Sequence, residues 1–208
     1  MKLLVASRSA GKQAEARRLL EAAGCTVVFP DQAGVPESAE EETLELGESF
    51  EINARHKAEY FARRTGLPTL ADDSGLEVFA LGGAPGVRSR RWAGASGSAL
   101  EVDAANNAEL QRRLLGAPPA RRRARYRCVL AFVSREGAAP EIFEGSCTGL
   151  ILETPRGGGG FGYDPLFLSD ELGKSFGEAT PEEKDAVSHR GRAIRAFAER
   201  LSRAGDKH

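Results

Sequence analysis

The stretch "KLLVASRSAGKQAEARRLLEAAGCTVVF", residues 2–29, decides the fold class of this chain. Its apolar ends, 2–6 and 25–29, are typical of short buried strands. Four residues between them recur at the spacing of one helix face: Ala16, Leu19, Leu20 and Ala23. Gly24 then provides a natural stop for the helix. A strand, a helix and a second strand in this order predict an α/β unit with a right-handed crossover.

The rest of the chain alternates in the same way. Helices are predicted over about 50–64, 98–115 and 188–201, and further strands over 67–71, 125–133 and 141–152. A capping box with proline at the first helical position predicts one more helix start, at Thr180, Pro181 and Glu183. The loop "GAPPA", 116–120, is the best candidate for a boundary between two lobes.

The composition excludes several classes of protein. A chain of 208 residues fits one large domain or two lobes. A net charge of −1 gives no overall field that attracts DNA or a membrane surface. The three cysteines contain no C-x-x-C pair, which argues against a zinc site or a disulfide framework and favours the reducing cytoplasm. The apolar run at the N-terminus is too short for a signal peptide or a membrane span.

The polar turn "SRSAGK", residues 7–12, joins the first strand to the first helix. Such a turn presents backbone N–H groups at the positive end of a helix, where phosphate binds readily, and Lys12 adds a full charge. The turn is not a Walker A loop, because Ala6 replaces the first glycine and Gln13 replaces the hydroxyl residue. Taken alone, such a segment is more often an ordinary strand–helix turn with a solvated lysine.

Two adjacent carboxylates, Asp72 and Asp73, interrupt the apolar pattern of "TLADDSGLEV", residues 69–78. We predict that they lie at the C-terminal end of the strand 67–71, where ligands usually bind in α/β sheets. Carboxylates at that position suit Mg²⁺ or the removal of a proton from water. The alternative is an Asp-Ser-Gly turn in which one carboxylate caps backbone amides. Six glutamates between 37 and 48 are mostly a solvated face, but one or two of them would complete a magnesium site.

Two later segments carry candidate ligand-binding groups. In "GGGGFGYDPLF", residues 157–167, Phe161 and Tyr163 offer flat faces for a base, and Asp164 offers a carboxylate. The alternative there is a hairpin turn with core aromatics. In "SHRG", residues 188–191, the arginine suits keto oxygens and ring nitrogens, although a lone His–Arg pair is usually structural. The basic run "ARRRARYRC", 120–128, is better explained as a solvated turn than as a nucleic-acid arm.

In this order along the chain, "NARHKA", "ADDSGLEV", "GGFGYDP" and "SHRG" resemble the inosine triphosphate pyrophosphatase family over about residues 3–200. The resemblance implies an elongated α/β protein, in which a mixed sheet with flanking helices forms two lobes around a central active-site cleft. It implies a single domain over 1–208 with a lobe boundary near 116–125. The implied reaction is Mg²⁺-dependent hydrolysis of ITP, dITP and XTP to the monophosphate and pyrophosphate. The enzyme is expected to be a homodimer, without a nucleic-acid or membrane partner.

The resemblance also implies roles for individual residues. Asp73 is the general base and, with Glu45, a magnesium ligand. Asp72 is expected to point to the other side of the strand. The triphosphate is bound by Ser7, Arg8, Ser9, Ala10, Gly11 and Lys12. The remaining substrate contacts are Ser74, Phe161, Gly162, Tyr163, Asp164, Lys184, His189 and Arg190. A donor on Arg190 would bind the 6-keto group of inosine or xanthine and would be left unpaired against adenine, which costs about 1–3 kcal/mol.

The chain departs from the family pattern at two positions. Ser9 stands where the phosphate turn usually has asparagine, and its side chain reaches less far toward a phosphate. Ile52 stands where the family often has glutamate, and Glu51 points elsewhere because a helix turns about 100° per residue. Glu45 is therefore the predicted second magnesium ligand, with Glu42 as the alternative. Two other functions stay open: a pyrophosphatase for modified pyrimidine nucleotides, as in the related septum-inhibitor family, and a non-catalytic nucleotide or RNA binder.

Overall fold

Within residues 1–205, which the computed structural model describes, the chain forms six strands and six α-helices. The strands are β1 (Lys2–Ala6), β2 (Thr26–Val28), β3 (Thr69–Val78), β4 (Arg123–Val133), β5 (Glu141–Ile151) and β6 (Phe167–Ser169). The helices are α1 (Ala10–Ala22), α2 (Glu40–Thr43), α3 (Phe50–Thr65), α4 (Ala99–Arg113), α5 (Pro181–Val187) and α6 (His189–Gly205). The strands and helices expected from the hydrophobic pattern are confirmed, with ends shifted by a few residues.

The six strands form one sheet in the order β2-β1-β3-β4-β5-β6. Strand β1 pairs in parallel with β2, where Lys2 is opposite Thr26, and in parallel with β3, where Leu4 is opposite Thr69. Strand β6 pairs antiparallel with β5. The sheet is therefore mixed, as the predicted fold class requires. Helix α1 connects the parallel strands β1 and β2, which confirms the strand–helix–strand unit.

The residues fall into two compact units, each with its own core. Among the described residues, unit 1 comprises Met1–Asp73, Cys128–Gly145 and Arg190–Gly205. Its apolar core includes Leu3, Val5, Leu20, Phe132 and Phe197. Unit 2 comprises Ser74–Arg127 and Ser146–His189. Its apolar core includes Leu76, Leu110, Ile151, Phe167 and Phe176.

One prediction about strand β3 is wrong. The strand was expected to end at residue 71, with the acid pair at its C-terminal end, but it runs on to Val78. Asp72 and Asp73 therefore lie in the middle of a buried strand, where alternate side chains point to opposite faces. An unpaired charge in that position would be expensive. The strand continues because each carboxylate has partners on its own side.

The glycine run before Phe161 is closely packed in unit 2. Gly157 has φ +73°, and a Cβ there would collide with the carbonyl group of Gly177. Gly160 has φ +71°, and a Cβ there would collide with the carboxylate of Asp164. Positive φ already favours glycine, so both conformation and space require it here.

The predicted capping box at Thr180 is present, with the Glu183 side chain accepting a hydrogen bond from the backbone N–H of Thr180.

The helices were also compared with the dimensions of a lipid bilayer. Among the residues described, none of the helices has the length and apolar character that a membrane crossing requires.

Candidate active site

Asp72 is buried in unit 1 and is held by two cations. Its Oδ2 accepts a hydrogen bond from Nε of Arg190 at 2.9 Å, and its Oδ1 pairs with Nζ of Lys12. The thiol of Cys128 donates to the same Oδ2 at 3.2 Å. Burial alone would raise the pKa of Asp72, but the charges of Arg190 and Lys12 outweigh it and hold the pKa well below its usual range. Asp72 is therefore a permanently ionised group, unsuited to accept a proton.

Asp73, its neighbour, has a different environment. Its Oδ2 accepts a hydrogen bond from Nδ2 of Asn53 at 2.8 Å, and its Oδ1 lies 3.8 Å from Nζ of Lys57. Burial raises the pKa of Asp73 above its ordinary value, although Lys57 and Lys12 act in the opposite direction. A carboxylate that holds a proton more readily than usual is a better general base, since basicity and proton affinity rise together.

Lys57 joins Asp73 to Glu45. Its Nζ donates to Oε1 of Glu45 at 2.5 Å and to the backbone oxygen of Asp72 at 2.5 Å. Burial would lower the pKa of Lys57, but Glu45, Asp73 and Asp72 outweigh it and raise the pKa above its ordinary value. Lys57 is therefore a fixed positive charge beside two carboxylates.

The carboxylates of Asp73 and Glu45 fit a magnesium site. Both lie near the same ammonium group, and Glu45 contributes to raising the pKa of Asp73, as two neighbouring negative charges do. Mg²⁺ prefers oxygen ligands and usually takes one or two carboxylates together with substrate phosphates. Between residues 1 and 205, no cluster of three or more histidine, cysteine or carboxylate side chains is arranged to hold a metal. Asp73 and Glu45 are therefore the two candidate magnesium ligands. The alternative ligand, Glu42, is exposed.

The turn predicted to bind phosphate forms the start of helix α1. Ser9 is the N-cap, and its side chain accepts from the backbone N–H of Lys12 at 3.5 Å. Ala10 and Gly11 are the first helical residues, so their N–H groups belong to the unsatisfied first turn. Ser7 directly follows β1 and is half-buried. The segment therefore has the anion-binding geometry of a helix N-terminus.

Arg8 belongs to the same segment, but its side chain contacts the glutamate-rich segment 31–49. Its Nη2 donates to Oε1 of Glu41 at 2.7 Å and to the carbonyl of Val35 at 3.0 Å, and its Nη1 pairs with Asp31. The guanidinium is thus occupied by carboxylates. The predicted phosphate contact of Arg8 stays a prediction.

Arg190 is buried at the start of helix α6, and its guanidinium contacts carboxylates. Besides its bond to Asp72, its Nη1 pairs with Glu15 on helix α1. Its predicted role, reading the purine edge, stays a prediction. The observed contacts connect Arg190 to Asp72 and, through it, to Lys12.

Unit 2 also contains buried carboxylates, among them Asp164. Its Oδ2 pairs with Nζ of Lys184 and accepts from the backbone N–H of Phe161 at 2.9 Å. The hydroxyl of Tyr126 lies 3.5 Å from its Oδ1. The Lys184 ammonium also lies 4.9 Å from the ring centre of Phe161 and 5.4 Å from that of Phe176, within cation–π range. Asp164 therefore holds both the ammonium group of Lys184 and the backbone of Phe161.

His189 lies in the same unit and is stacked. Its ring is parallel to that of Tyr126, with an interplanar angle of 7° and 4.6 Å between centres. Tyr163 is buried, and its hydroxyl donates to the carbonyl of Ser89 at 2.9 Å. The backbone N–H of Gly162 donates to Asp103 on helix α4 at 2.8 Å. Ser74, directly after Asp73 in β3, is half-buried. The structure thus brings the predicted residues of 161–164 together with Lys184.

Four residues in these clusters were missed by sequence reasoning: Glu15, Asn53, Lys57 and Tyr126. A signal existed for two of them. Asn53 and Lys57 are four residues apart in α3, which places them on one helix face beside the apolar residues Ala54 and Ala58. Polar side chains next to an apolar stripe need buried partners, and the acid pair supplies them. Glu15 resembles any surface glutamate in the sequence, so only the fold reveals it.

Comparison with known proteins gives consistent results. The sequence model described as the Ham1 family matches residues 3–200. A dITP/XTP pyrophosphatase of Frankia alni is 46% identical over 199 residues, covering 95% of this chain and 96% of that protein. A protein of the same name from Methylococcus capsulatus is 48% identical over 201 residues, covering 96% of each chain.

Solved structures resemble this one over nearly their whole length. A HAM1 protein from Coxiella burnetii superimposes with a TM-score of 0.83 at 37% identity, covering 98% of this chain and 99% of that one. A nucleoside-triphosphatase / dITP/XTP pyrophosphatase from Mycobacterium abscessus superimposes with a TM-score of 0.71 at 47% identity, covering 95% and 98%.

Proposed function

The chain belongs to the Ham1 family, and we propose that it hydrolyses deaminated purine nucleoside triphosphates, namely ITP, dITP and XTP, to the monophosphate and pyrophosphate. Relatives with 46% and 48% identity are named dITP/XTP pyrophosphatases. The observation that carries the proposal is the acid pair in β3. One carboxylate is occupied by Lys12 and Arg190, and the other has a raised pKa beside Lys57.

In the proposed reaction, Asp73 removes a proton from a water molecule. The water oxygen forms a bond to the α-phosphorus, and the bond from that phosphorus to the α,β-bridging oxygen breaks. Pyrophosphate leaves with the bonding electrons, and the nucleoside monophosphate remains. A positioned general base contributes about 10²–10⁴ in rate.

The reaction also needs positive charge near the phosphates. Lys12 and the N-terminus of α1 supply it on one side of the acid pair, and Lys57 supplies it next to Asp73. Because these groups are already fixed by ion pairs, they need little reorganisation when negative charge develops in the transition state.

We propose that Asp73 and Glu45 also hold Mg²⁺. When bound, this ion neutralises phosphate oxygens and orients the leaving group. The support for it is the choice of donors, two carboxylates whose negative charges lie close enough to interact.

The base is proposed to bind to the aromatic cluster of unit 2. Phe161 stacks on the purine, and its backbone is fixed by Asp164. His189 is held flat against Tyr126 and reads the purine edge, and Lys184 reaches the phosphates or the nucleotide. A donor facing position 6 accepts the keto group of hypoxanthine or xanthine. The amino group of adenine would leave it unpaired, at a cost of about 1–3 kcal/mol.

We further propose a cytoplasmic homodimer. The homodimer follows from the family resemblance, and size-exclusion chromatography with light scattering tests it. All three cysteines are buried free thiols, as expected in a reducing compartment.

The test of the proposed function is pyrophosphate release from ITP, XTP, ATP, GTP and UTP in the presence and absence of Mg²⁺. We expect strong release from ITP and XTP, little from ATP, and loss of activity without the metal. Equal release from all five nucleotides would retain the phosphate chemistry and refute the account of base selection. Release from UTP alone would favour a pyrimidine-directed enzyme.

A further inference from the structure

Unit 1 contains four charged side chains that form a continuous buried series. In order of contact they are Glu15, Arg190, Asp72 and Lys12, with side-chain exposures of 7%, 3%, 8% and 20%. Negative and positive charges alternate along the series, so its net charge is zero. A buried charge requires a partner, and each member has one on at least one side.

The series connects three parts of the fold. Arg190 lies at the start of α6, Asp72 lies in the middle of β3, and Glu15 and Lys12 both lie in α1. Glu15 and Lys12 are three residues apart, so they project from the same face of that helix. Helix α1 is therefore attached to the Arg190–Asp72 pair at two points, one in its first turn and one in the next.

We propose that Glu15 is a positioning residue for phosphate binding, acting through Arg190 and Asp72 on Lys12 and on the first turn of α1. The inference rests on the proposed function and adds to it a residue that does not touch the substrate. Asp72 is shared between Arg190 and Lys12, one on each oxygen. Without Glu15, Arg190 loses its contact with α1, and α1 loses one of its two ion pairs with the Arg190–Asp72 pair.

The inference makes a prediction about Arg190 that differs from base reading. If the guanidinium acts through the series, its loss weakens binding of the triphosphate whatever base it carries. If the guanidinium reads the 6-keto group, its loss changes the preference for ITP over ATP and leaves binding of inorganic phosphate chains unaltered.

The experiment compares Glu15→Gln with wild type. We expect the KM for ITP and for XTP to rise about tenfold. Removal of a residue that orients a ligand-binding side chain typically weakens ligand affinity by about this factor. The kcat should change little. The affinity for inorganic tripolyphosphate, measured by calorimetry, should fall by the same factor, and the ITP-to-ATP ratio of kcat/KM should stay constant.

Three further variants complete the design. Glu21→Gln is the matched control, because Glu21 lies in the same helix but pairs with Arg17 at the surface, and it should behave as wild type. Glu15→Asp retains the charge with a shorter side chain, keeps the fold if Glu15→Gln does not, and should give an intermediate rise in KM. Arg190→Lys should weaken tripolyphosphate binding and leave the base preference unchanged.

A folded Glu15→Gln or Glu15→Asp protein with wild-type KM and wild-type affinity for tripolyphosphate would overturn the inference. So would a change in the ITP-to-ATP ratio of kcat/KM without a change in tripolyphosphate affinity. Calorimetry needs no turnover, so a wild-type protein that binds tripolyphosphate but hydrolyses neither ITP nor XTP would refute the proposed function alone.

Discussion

The two units bury charge in different ways. In unit 1, acids and bases alternate in contact: Lys57 lies beside Asp73 and Glu45, and Asp72 lies between Lys12 and Arg190. In unit 2, the buried ion pair between Asp164 and Lys184 lies beside the rings of Phe161 and Phe176. Several fixed charges suit a polyanion, whereas rings with one polar pair suit a flat heterocycle. On this basis, we propose that unit 1 binds the phosphates and that unit 2 binds the base.

The largest effect should come from the charged unit. Asp73→Asn should lower kcat by about 10²–10⁴, since the amide cannot accept the proton from water. The fold should persist, because the amide oxygen still accepts from Asn53. Steady-state pyrophosphate release measures the effect, and Asp170→Asn, which alters an exposed acid, is the control. Undiminished turnover in Asp73→Asn would remove Asp73 as the base and with it the contrast between the acid pair's two members.

The ion pair of unit 2 should matter more for stability than for chemistry. Lys184→Met leaves the buried carboxylate of Asp164 without its cation, and breaking such a pair costs about 3–5 kcal/mol. Urea unfolding measures the loss of free energy. Lys174→Met removes a half-exposed lysine from Glu183 and should cost about 0–1 kcal/mol. If both variants lost the same free energy of unfolding, the buried Asp164–Lys184 pair would be no more important for stability than the half-exposed Lys174–Glu183 pair.

Stacking on Phe161 should affect only ligands that carry a base. Phe161→Ala should weaken binding of ITP by about 1–3 kcal/mol, because base–aromatic stacking is lost. The affinity for inorganic tripolyphosphate should stay constant, the reverse of the result expected for unit 1. Parallel calorimetric titrations with ITP and tripolyphosphate test both statements. A fall in tripolyphosphate affinity would break the assignment of separate tasks to the two units.

The smallest effect concerns Tyr163 at alkaline pH. Burial raises the pKa of Tyr163 above its ordinary value of 10.0, so the folded state keeps the neutral phenol after the unfolded state has ionised. The raised pKa of Tyr163 leaves the folded state at full stability below pH 10.0. The free energy of unfolding then falls as the pH rises further. Tyr163→Phe should cost about 1 kcal/mol at neutral pH, because the bond to Ser89 is lost.

Thermal unfolding of both proteins from neutral pH to above pH 10.0 tests this expectation. The difference in melting temperature between wild type and Tyr163→Phe should become smaller as the pH rises. A constant gap would show that the phenol titrates alike in both states.

Much of this fold could be predicted because its signals are local. The apolar spacing of α1, the stop at Gly24 and the capping box at Thr180 all act within a few residues. The length of β3 could not be predicted, because it depends on cations from distant segments, Lys12, Lys57 and Arg190. The partners of Arg190 were missed for the same reason, since Glu15 is 175 positions away along the chain.

The glycine run of unit 2 has a practical consequence for protein engineering. Its composition is that of a flexible linker, the usual choice for inserting a tag or opening a circular permutant. Yet side chains at Gly157 and Gly160 would strike Gly177 and Asp164. A library randomised at these two codons should therefore return glycine almost alone, and affinity tags belong elsewhere on this chain.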